Sequence, residues 1–413
     1  MKLIKTMKLP FFKKSKGKVE KGKILLALDV GTKFVKAVIF KVIDNQVNVI
    51  GYAKTAQQSN SMHSAMIVNL QNVISTTDIC VGKALNMAEE LEGEDFDLPD
   101  KVILGIAGEL VKGVTIVADY DREKPDKKIS EKEIEEVKDM VKEQMFEKVH
   151  ADIARELGLN FDQVEEINTK VVSAYIDGVK IDNPLGFTGT KAQLSIYSTF
   201  SPSLHLNSLK ELADQLGLEI DELVVEPYAI SRSIKDSHKE TFSGIIIDIG
   251  GGTTDVALVQ KGAVMGTKMY AFGGQVFTKR LSKDFEISMD EAETLKLDYS
   301  AQKLSDIKTK KVKEGLLKDI PVWTEGIEIS LGEFDDVKNF PDQMYFCGGG
   351  AHLPDIKTGL MAHPWLQVLP FKKFPKMSYI FPNQLEGIVD HTKEMIDPMD
   401  VAPAALALMA LEN

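Results

Sequence analysis

From Lys23 onward the apolar residues fall into short runs broken by turn residues. Ile24–Val30, Phe34–Val42 and Val47–Lys54 are rich in β-branched and apolar side chains, with Gly31-Thr32 and then Asp44-Asn45 between them. That pattern predicts three successive strands. Over Asn72–Leu91 the period changes, and Val73, Ile74, Val81, Leu85, Met87, Ala88 and Leu91 recur as they do on a helix. Lys101–Ala107, ended by Gly108, reads as a buried strand. Ser130, with Glu133 three residues on, predicts a capping box opening an amphipathic helix through Ile134, Val137, Val141 and Met145. Strands at Asn168–Ile176 and Lys191–Ser198 flank an Asn-Pro-Leu-Gly turn at Asn183–Gly186. A helix at Ser203–Leu216 then leads to a second strand–turn–strand at Gly244–Gln260.

Strand, glycine turn, strand thus occurs twice, each time at the front of an α/β segment. This echo predicts two similar lobes with mixed sheets. A length of 413 residues also exceeds what one ordinary core organises. No apolar run reaches the roughly 20 residues of a membrane helix, and the closing Ala404–Leu411 segment reads as a core helix of the second lobe. Cys80 and Cys347 are far apart, which argues for a reducing compartment and against a disulfide framework or zinc site. Net charge is −12, yet the first 23 residues carry nine lysines against Glu20 alone. The acidic body is a poor match for a phosphate backbone, so general nucleic-acid binding is not expected.

Three blocks carry candidate chemistry. In Leu28-Asp29-Val30-Gly31-Thr32-Lys33-Phe34-Val35-Lys36 an aspartate ends a strand and a glycine opens the turn. Such a turn forms a cup of N–H donors for phosphate, the aspartate can hold hydrated Mg²⁺, and Lys36 on the outgoing strand can reach a phosphate. Alone, an Asp-x-Gly turn joins many plain hairpins. Asp248-Ile249-Gly250-Gly251-Gly252-Thr253-Thr254-Asp255 repeats the logic with successive glycines, more than a hairpin needs. Close approach of backbone to a ligand is the natural reason, with Asp248 and Asp255 as further acceptors. In Cys347-Gly348-Gly349-Gly350-Ala351 a strand runs through glycines into a helix start, where a flat ring or phosphate can lie on the backbone.

In this order the blocks resemble the phosphate-one, phosphate-two and adenosine motifs of the actin, sugar-kinase and DnaK-type chaperone superfamily. Glu226-Pro227 resembles the segment whose glutamate orients the attacking water. Gly273-Gly274 with Thr278 resembles the segment after phosphate-two, and Ala292–Lys296 the helix touching ribose and adenine. Asp177–Gly189 resembles the return from the subdomain inserted in the first lobe of bacterial FtsA, an insertion PilM shares; Gly274–Lys279 is also FtsA-like.

The resemblance implies an α/β, actin-like ATPase fold with a small inserted α+β (SHS2-type) subdomain. It divides the chain into a basic tail (1–23), a first lobe (24–107 and 189–240), the insertion (108–188) and a second lobe (241–413). It implies ATP and Mg²⁺ as cofactors and at most slow ATPase activity. Asp29, Asp248 and Asp255 would organise the metal. Gly31, Thr32, Lys33, Lys36, Gly250, Gly251, Gly252, Thr253, Thr254 and Gly274 would hold phosphates, Glu226 would orient water, and Glu293, Lys296, Gly348, Gly349 and Gly350 would hold the nucleoside. The implied role is an FtsA-type link between a division or cytoskeletal polymer and the inner membrane. Its partners would be a tubulin-like division protein and further copies of itself; a PilM-like pilus platform, binding a pilus membrane subunit, stands as the alternative. A sugar or acetate kinase would need a base beside the γ-phosphate, and no candidate motif supplies one. The usual C-terminal amphipathic anchor of FtsA is missing, so the basic tail, with Leu3, Ile4, Met7, Phe11 and Phe12 among its lysines, is expected to bind anionic lipid on the cytoplasmic face. Asn69 departs from an acid common in relatives.

Overall fold

The computed structural model describes residues 22–93, 96–107, 111–141, 147–156, 158–181, 183–234, 242–334 and 337–412. All but the last two residues of the basic tail lie outside that set, as do Gly108 and Met145. The chain begins with β1 (Ile24–Val30), β2 (Phe34–Ile43) and β3 (Gln46–Ala56), followed by a small hairpin, β4 (Met62–His63) and β5 (Met66–Ile67). Next come α1 (Leu70–Glu92), β6 (Lys101–Ile106), β7 (Lys112–Asp121), α2 (Glu131–Val141), α3 (Glu147–Glu156), β8 (Val164–Ile176), β9 (Val179–Ile181) and β10 (Lys191–Pro202). Then follow α4 (Ser203–Gln215), β11 (Glu219–Val225), α5 (Glu226–Ser233), β12 (Gly244–Ile249), β13 (Thr254–Gln260) and β14 (Ala263–Tyr270). Helices α6 (Gly274–Phe285), α7 (Met289–Ser300), α8 (Asp306–Leu316) and α9 (Ile320–Gly332) precede β15 (Gln343–Cys347), α10 (Pro354–Ala362) and α11 (Trp365–Val368). The chain closes through β16 (Lys376–Tyr379), β17 (Ile388–Asp390) and α12 (Val401–Leu408).

The two-fold echo is explicit in the sheets. One has the order β11-β6-β1-β2-β3-β17, and the other contains β16-β15-β12-β13-β14. In both, an antiparallel three-strand meander is extended on its first strand by two parallel strands. β1 is buried along its whole length, as its unbroken apolar run requires when both faces are covered. Helix α1 packs Val73, Cys80, Val81, Ala84 and Ala88 inward at three- and four-residue spacing. Asn69 caps this helix, its side chain accepting from the Asn72 N–H.

Three expectations are corrected. Helix α12 packs on α5, β1, β2 and β6 within the first-lobe core, not in the second lobe. Its Ala- and Leu-rich face fits either core, and β17, pairing with β3, has already returned the chain to the first sheet. Strand β10, assigned to the first lobe, pairs with both β7 and β8 and centres the insertion's own sheet. That sheet joins the second-lobe sheet through β7 and β14. The capping box at α2 is half formed: Ser130 Oγ accepts from Glu133 N, but the Glu133 carboxylate is held by Arg122 at 2.6 and 2.9 Å.

Candidate functional site

The two glycine hairpins are built alike. Along β1 and β2 Asp29 stands opposite Lys36; along β12 and β13 Asp248 stands opposite Asp255. Each turn closes on a backbone hydrogen bond, Gly31 N to Phe34 O at 3.0 Å and Gly250 N to Thr253 O at 2.9 Å. The turns face each other closely. A Cβ on Gly251 would sit 2.8 Å from Lys33 Cβ, and one on Gly252 would sit 2.7 Å from Thr32 Oγ1. The successive glycines are therefore required by the meeting of the two turns as well as by any ligand between them. Gly348 adopts φ +82°, and a Cβ there would run into the Asp248 carboxylate.

All but one of the predicted site residues line a single cleft of about 950 Å³, its open mouth included. Asp29, Glu226, Asp248, Asp255 and Glu293 meet Lys33, Lys36 and Lys296 there. Thr254 is the exception: it is wholly buried, donates to Phe272 O at 2.6 Å and accepts from Trp323 Nε1 at 2.9 Å. Side chains alternate along a strand, so with Thr253 and Asp255 facing the cleft Thr254 must face the core. Ala65, Ala107, Gln275, Leu297, Met399 and Ala402 also line the cleft and were not predicted. Of these only Gln275, beside the Gly273-Gly274 pair, carried a sequence signal.

Charge is unevenly compensated. Lys36 Nζ lies 2.7 Å from Asp29 Oδ2. Burial pulls its pKa down, but the charge and hydrogen bond of Asp29, with Asp248 and Glu226 behind, outweigh burial and hold Lys36 above its ordinary value. Burial pushes Asp248 up from 3.8 to about 6, with Lys36 opposing and Asp29 adding. Burial, then the charges of Asp248 and Asp29, lifts Asp255 well above its ordinary range. Burial also lifts Glu226, helped by Asp29, Asp248 and Asp255. Among the described residues, buried Asp255 Oδ1 meets no hydrogen-bond partner. Among the described residues no three His, Cys, Asp or Glu side chains converge to ligate a metal directly. Buried carboxylates short of positive charge, one with an orphaned oxygen, suit a hydrated divalent cation held through its waters.

The other end of the cleft is a closed network. Glu293 Oε2 accepts from Thr278 Oγ1 at 2.5 Å and from Lys296 Nζ at 2.9 Å. Lys296 also donates to Gly274 O at 3.0 Å, tying α7 to the start of α6. Burial draws the Lys296 pKa down, whereas burial is outweighed at Glu293, which Lys296 and Thr278 hold below the usual carboxylate range.

The family model described as "Cell division protein FtsA" matches residues 245–375. The chain is 24% identical over 287 residues to the cell division protein FtsA of Neisseria meningitidis, covering 68% of this chain and 62% of the relative. Against FtsA of Escherichia coli K12 it is 25% identical over 278 residues, covering 67% and 60%. The chain thus spans about three fifths of the curated relatives' length. A solved structure titled "PilM-PilN type IV pilus biogenesis complex" superposes with a TM-score of 0.64 at 14% identity, over 95% of this chain and 99% of that one. The chain is thus similar in sequence to FtsA proteins over part of their length, and it shares its fold with the PilM-PilN structure.

Proposed function

We propose that the chain binds ATP with Mg²⁺ between its lobes and uses the nucleotide mainly as a conformational clamp, in an FtsA-like protein that ties a division or cytoskeletal polymer to the inner membrane. The observation that carries this reading is the facing pair of glycine turns, backed by buried carboxylates with one unpartnered oxygen. Asp29, Asp248 and Asp255 would hold the hydrated metal, which supplies charge compensation for the phosphates. Lys33, Lys36, Thr32, Thr253 and the turn amides would hold the phosphates, while Glu293, Lys296 and Gly348–Gly350 would bound the nucleoside. Burial and the surrounding acids lift the Glu226 pKa well above its ordinary value, which disfavours the ionised form that a base needs. Compensating the neighbouring carboxylates returns it toward ionisation, so any hydrolysis waits for a filled cleft and is slow. Attachment to anionic lipid is assigned to residues 1–23, whose nine lysines lie on an otherwise acidic chain. Among the described residues no helix is long and apolar enough to cross a membrane.

A second reading, a PilM-like platform that binds a membrane subunit of a pilus system, is favoured by one observation. The likeness to the PilM-PilN structure runs end to end, whereas the FtsA relatives are matched over a part. Both readings share the nucleotide test. Millimolar Mg²⁺-ATP should raise the melting temperature, since saturation at a hundredfold Kd stabilises by about 2.7 kcal/mol. Asp248→Ala should abolish the rise, and an unaltered chain whose melting ignores Mg²⁺-ATP would refute both. Cosedimentation then tests the tail: a chain starting at Lys23 should lose binding to anionic vesicles, and equal binding would remove the anchor.

A further inference from the structure

We propose that the inserted subdomain braces the two lobes against each other, so that the state of the cleft and the seating of the insertion are one equilibrium; this rests on the clamp reading above. The insertion has small cores of its own, one of them built on Ala118, Val137, Ala174, Leu194 and Ile196, yet it does not stand apart. Its β7 continues the second-lobe sheet, with Val114 opposite Gly266 and Gly113 opposite Thr267, and Thr115 Oγ1 donates to Val264 O at 2.7 Å. At that seam the buried Tyr197 hydroxyl of β10 lies 3.0 Å from Thr267 Oγ1. A Cβ on Gly113 would collide with both oxygens, so glycine lets the three strands meet.

The same subdomain also grips the first lobe. The Tyr197 ring stacks on Tyr228 of α5, centroids 4.9 Å apart and planes at 10°, two residues beyond Glu226 in the cleft. From β8, Asn168 Nδ2 donates to Leu223 O at 3.1 Å and Lys170 pairs with Glu222 at 2.6 Å, both on β11, the strand that runs straight into α5. Tyr197 therefore touches the second lobe with its hydroxyl and the first lobe with its ring. Strand β14 belongs to the meander that begins at the Gly250–Thr253 turn, so a movement of that turn's sheet carries β14 with it. If nucleotide changes the angle between the lobes, one grip must yield or the insertion must move. Any free energy stored there acts in both directions, from nucleotide to insertion and back.

Hydrogen exchange on the full chain, with and without Mg²⁺-ATP, reads the brace directly. Mg²⁺-ATP should slow exchange in β7 and in the Val264–Thr267 stretch of β14 by about tenfold, within the usual range for coupled sites. Thr267→Val, which keeps side-chain shape and removes the hydroxyl, should lose most of that protection while keeping the nucleotide-dependent rise in melting temperature. Tyr197→Phe, which keeps the ring stack, should do the same and serves if the first variant folds poorly. A normal melting rise with unchanged exchange in β7 would overturn the brace, as would variants that retain the full protection. No melting rise in the unaltered chain would instead overturn nucleotide binding, and the brace with it.

Discussion

The two glycine hairpins of the cleft share a backbone and differ in charge. In the first, the residue opposite Asp29 is Lys36, and the pair is internally compensated at 2.7 Å. In the second, the residue opposite Asp248 is Asp255, and two buried acids stand side by side, with Asp248 only partly offset by Lys36. One hairpin is finished as folded. The other is left with an electrostatic deficit that Lys36, committed to Asp29, offsets only in part. On the proposed reading that asymmetry serves binding: the second hairpin is less stable alone and is stabilised once Mg²⁺ and nucleotide are bound.

The largest expected effect comes from breaking the compensated side. Lys36→Met removes the positive charge beside Asp29 while keeping the apolar stem, leaving Asp29, Asp248 and Glu226 buried together. Loss of one partner of a buried pair typically costs about 3–5 kcal/mol, read as a fall in the urea midpoint without nucleotide. Adding Asp29→Asn should restore much of it, because the orphaned charge goes too. A single variant that costs under about 1 kcal/mol would mean the pair does not hold the first hairpin.

The second effect is a pH dependence on the uncompensated side. Asp248 titrates near 6 in the folded chain against 3.8 ordinarily. Between those values the folded state holds a proton that the unfolded state has released. Stability is therefore greatest below about pH 4 and declines as pH rises through 6, by on the order of 2–3 kcal/mol. Carboxylates held low elsewhere, such as Glu133 and Asp397, slope the other way. The difference between the parent chain and Asp248→Asn, both in EDTA, isolates the contribution. Parallel curves across pH 4–6 would show that Asp248 titrates normally.

How far the sequence foretold this differs by kind of feature. The turns were legible because a glycine run and a strand-end aspartate are local signals, whereas the Glu293–Lys296 helix was legible only through its resemblance to a known segment. Thr254 was misassigned although the signal existed, since period-two alternation separates it from Thr253 and Asp255. Helix α12 and strand β10 were misplaced for another reason. Nothing in an Ala-Leu helix names its core, and the seam between Gly113 and Thr267 joins residues 154 positions apart, the difference of their numbers. The apolar cleft residues Ala107, Met399 and Ala402 carry no pattern at all. Asp248 and Asp255 could be named, but their deficit became visible only when Lys36 was found committed to Asp29.

The smallest effect is the most discriminating, because it reverses sign at the structurally equivalent place. Asp255 occupies in the second hairpin the position of Lys36 in the first, and burial, then Asp248, lifts its carboxyl well above the ordinary range. A carboxyl whose folded pKa is raised costs stability once the pH passes the unfolded value, because ionisation then favours the unfolded chain. Asp255→Asn supplies a neutral side chain of the same shape and removes that cost. Its Nδ2 still offers the donor that a protonated carboxyl offers, and Oδ1 has no partner to lose. The nucleotide-free chain should gain about 1–2 kcal/mol, within the range seen when functional residues are traded for stability. The same variant should respond less to Mg²⁺ in ATP-dependent melting, because one of the carboxylates facing the metal's waters is gone. A substitution at one register position that weakens the fold at Lys36 and strengthens it at Asp255 would locate the deficit in the second hairpin. If Asp255→Asn instead destabilised the nucleotide-free chain, its carboxylate would have to be ionised and satisfied there, and the asymmetry between the hairpins would fail.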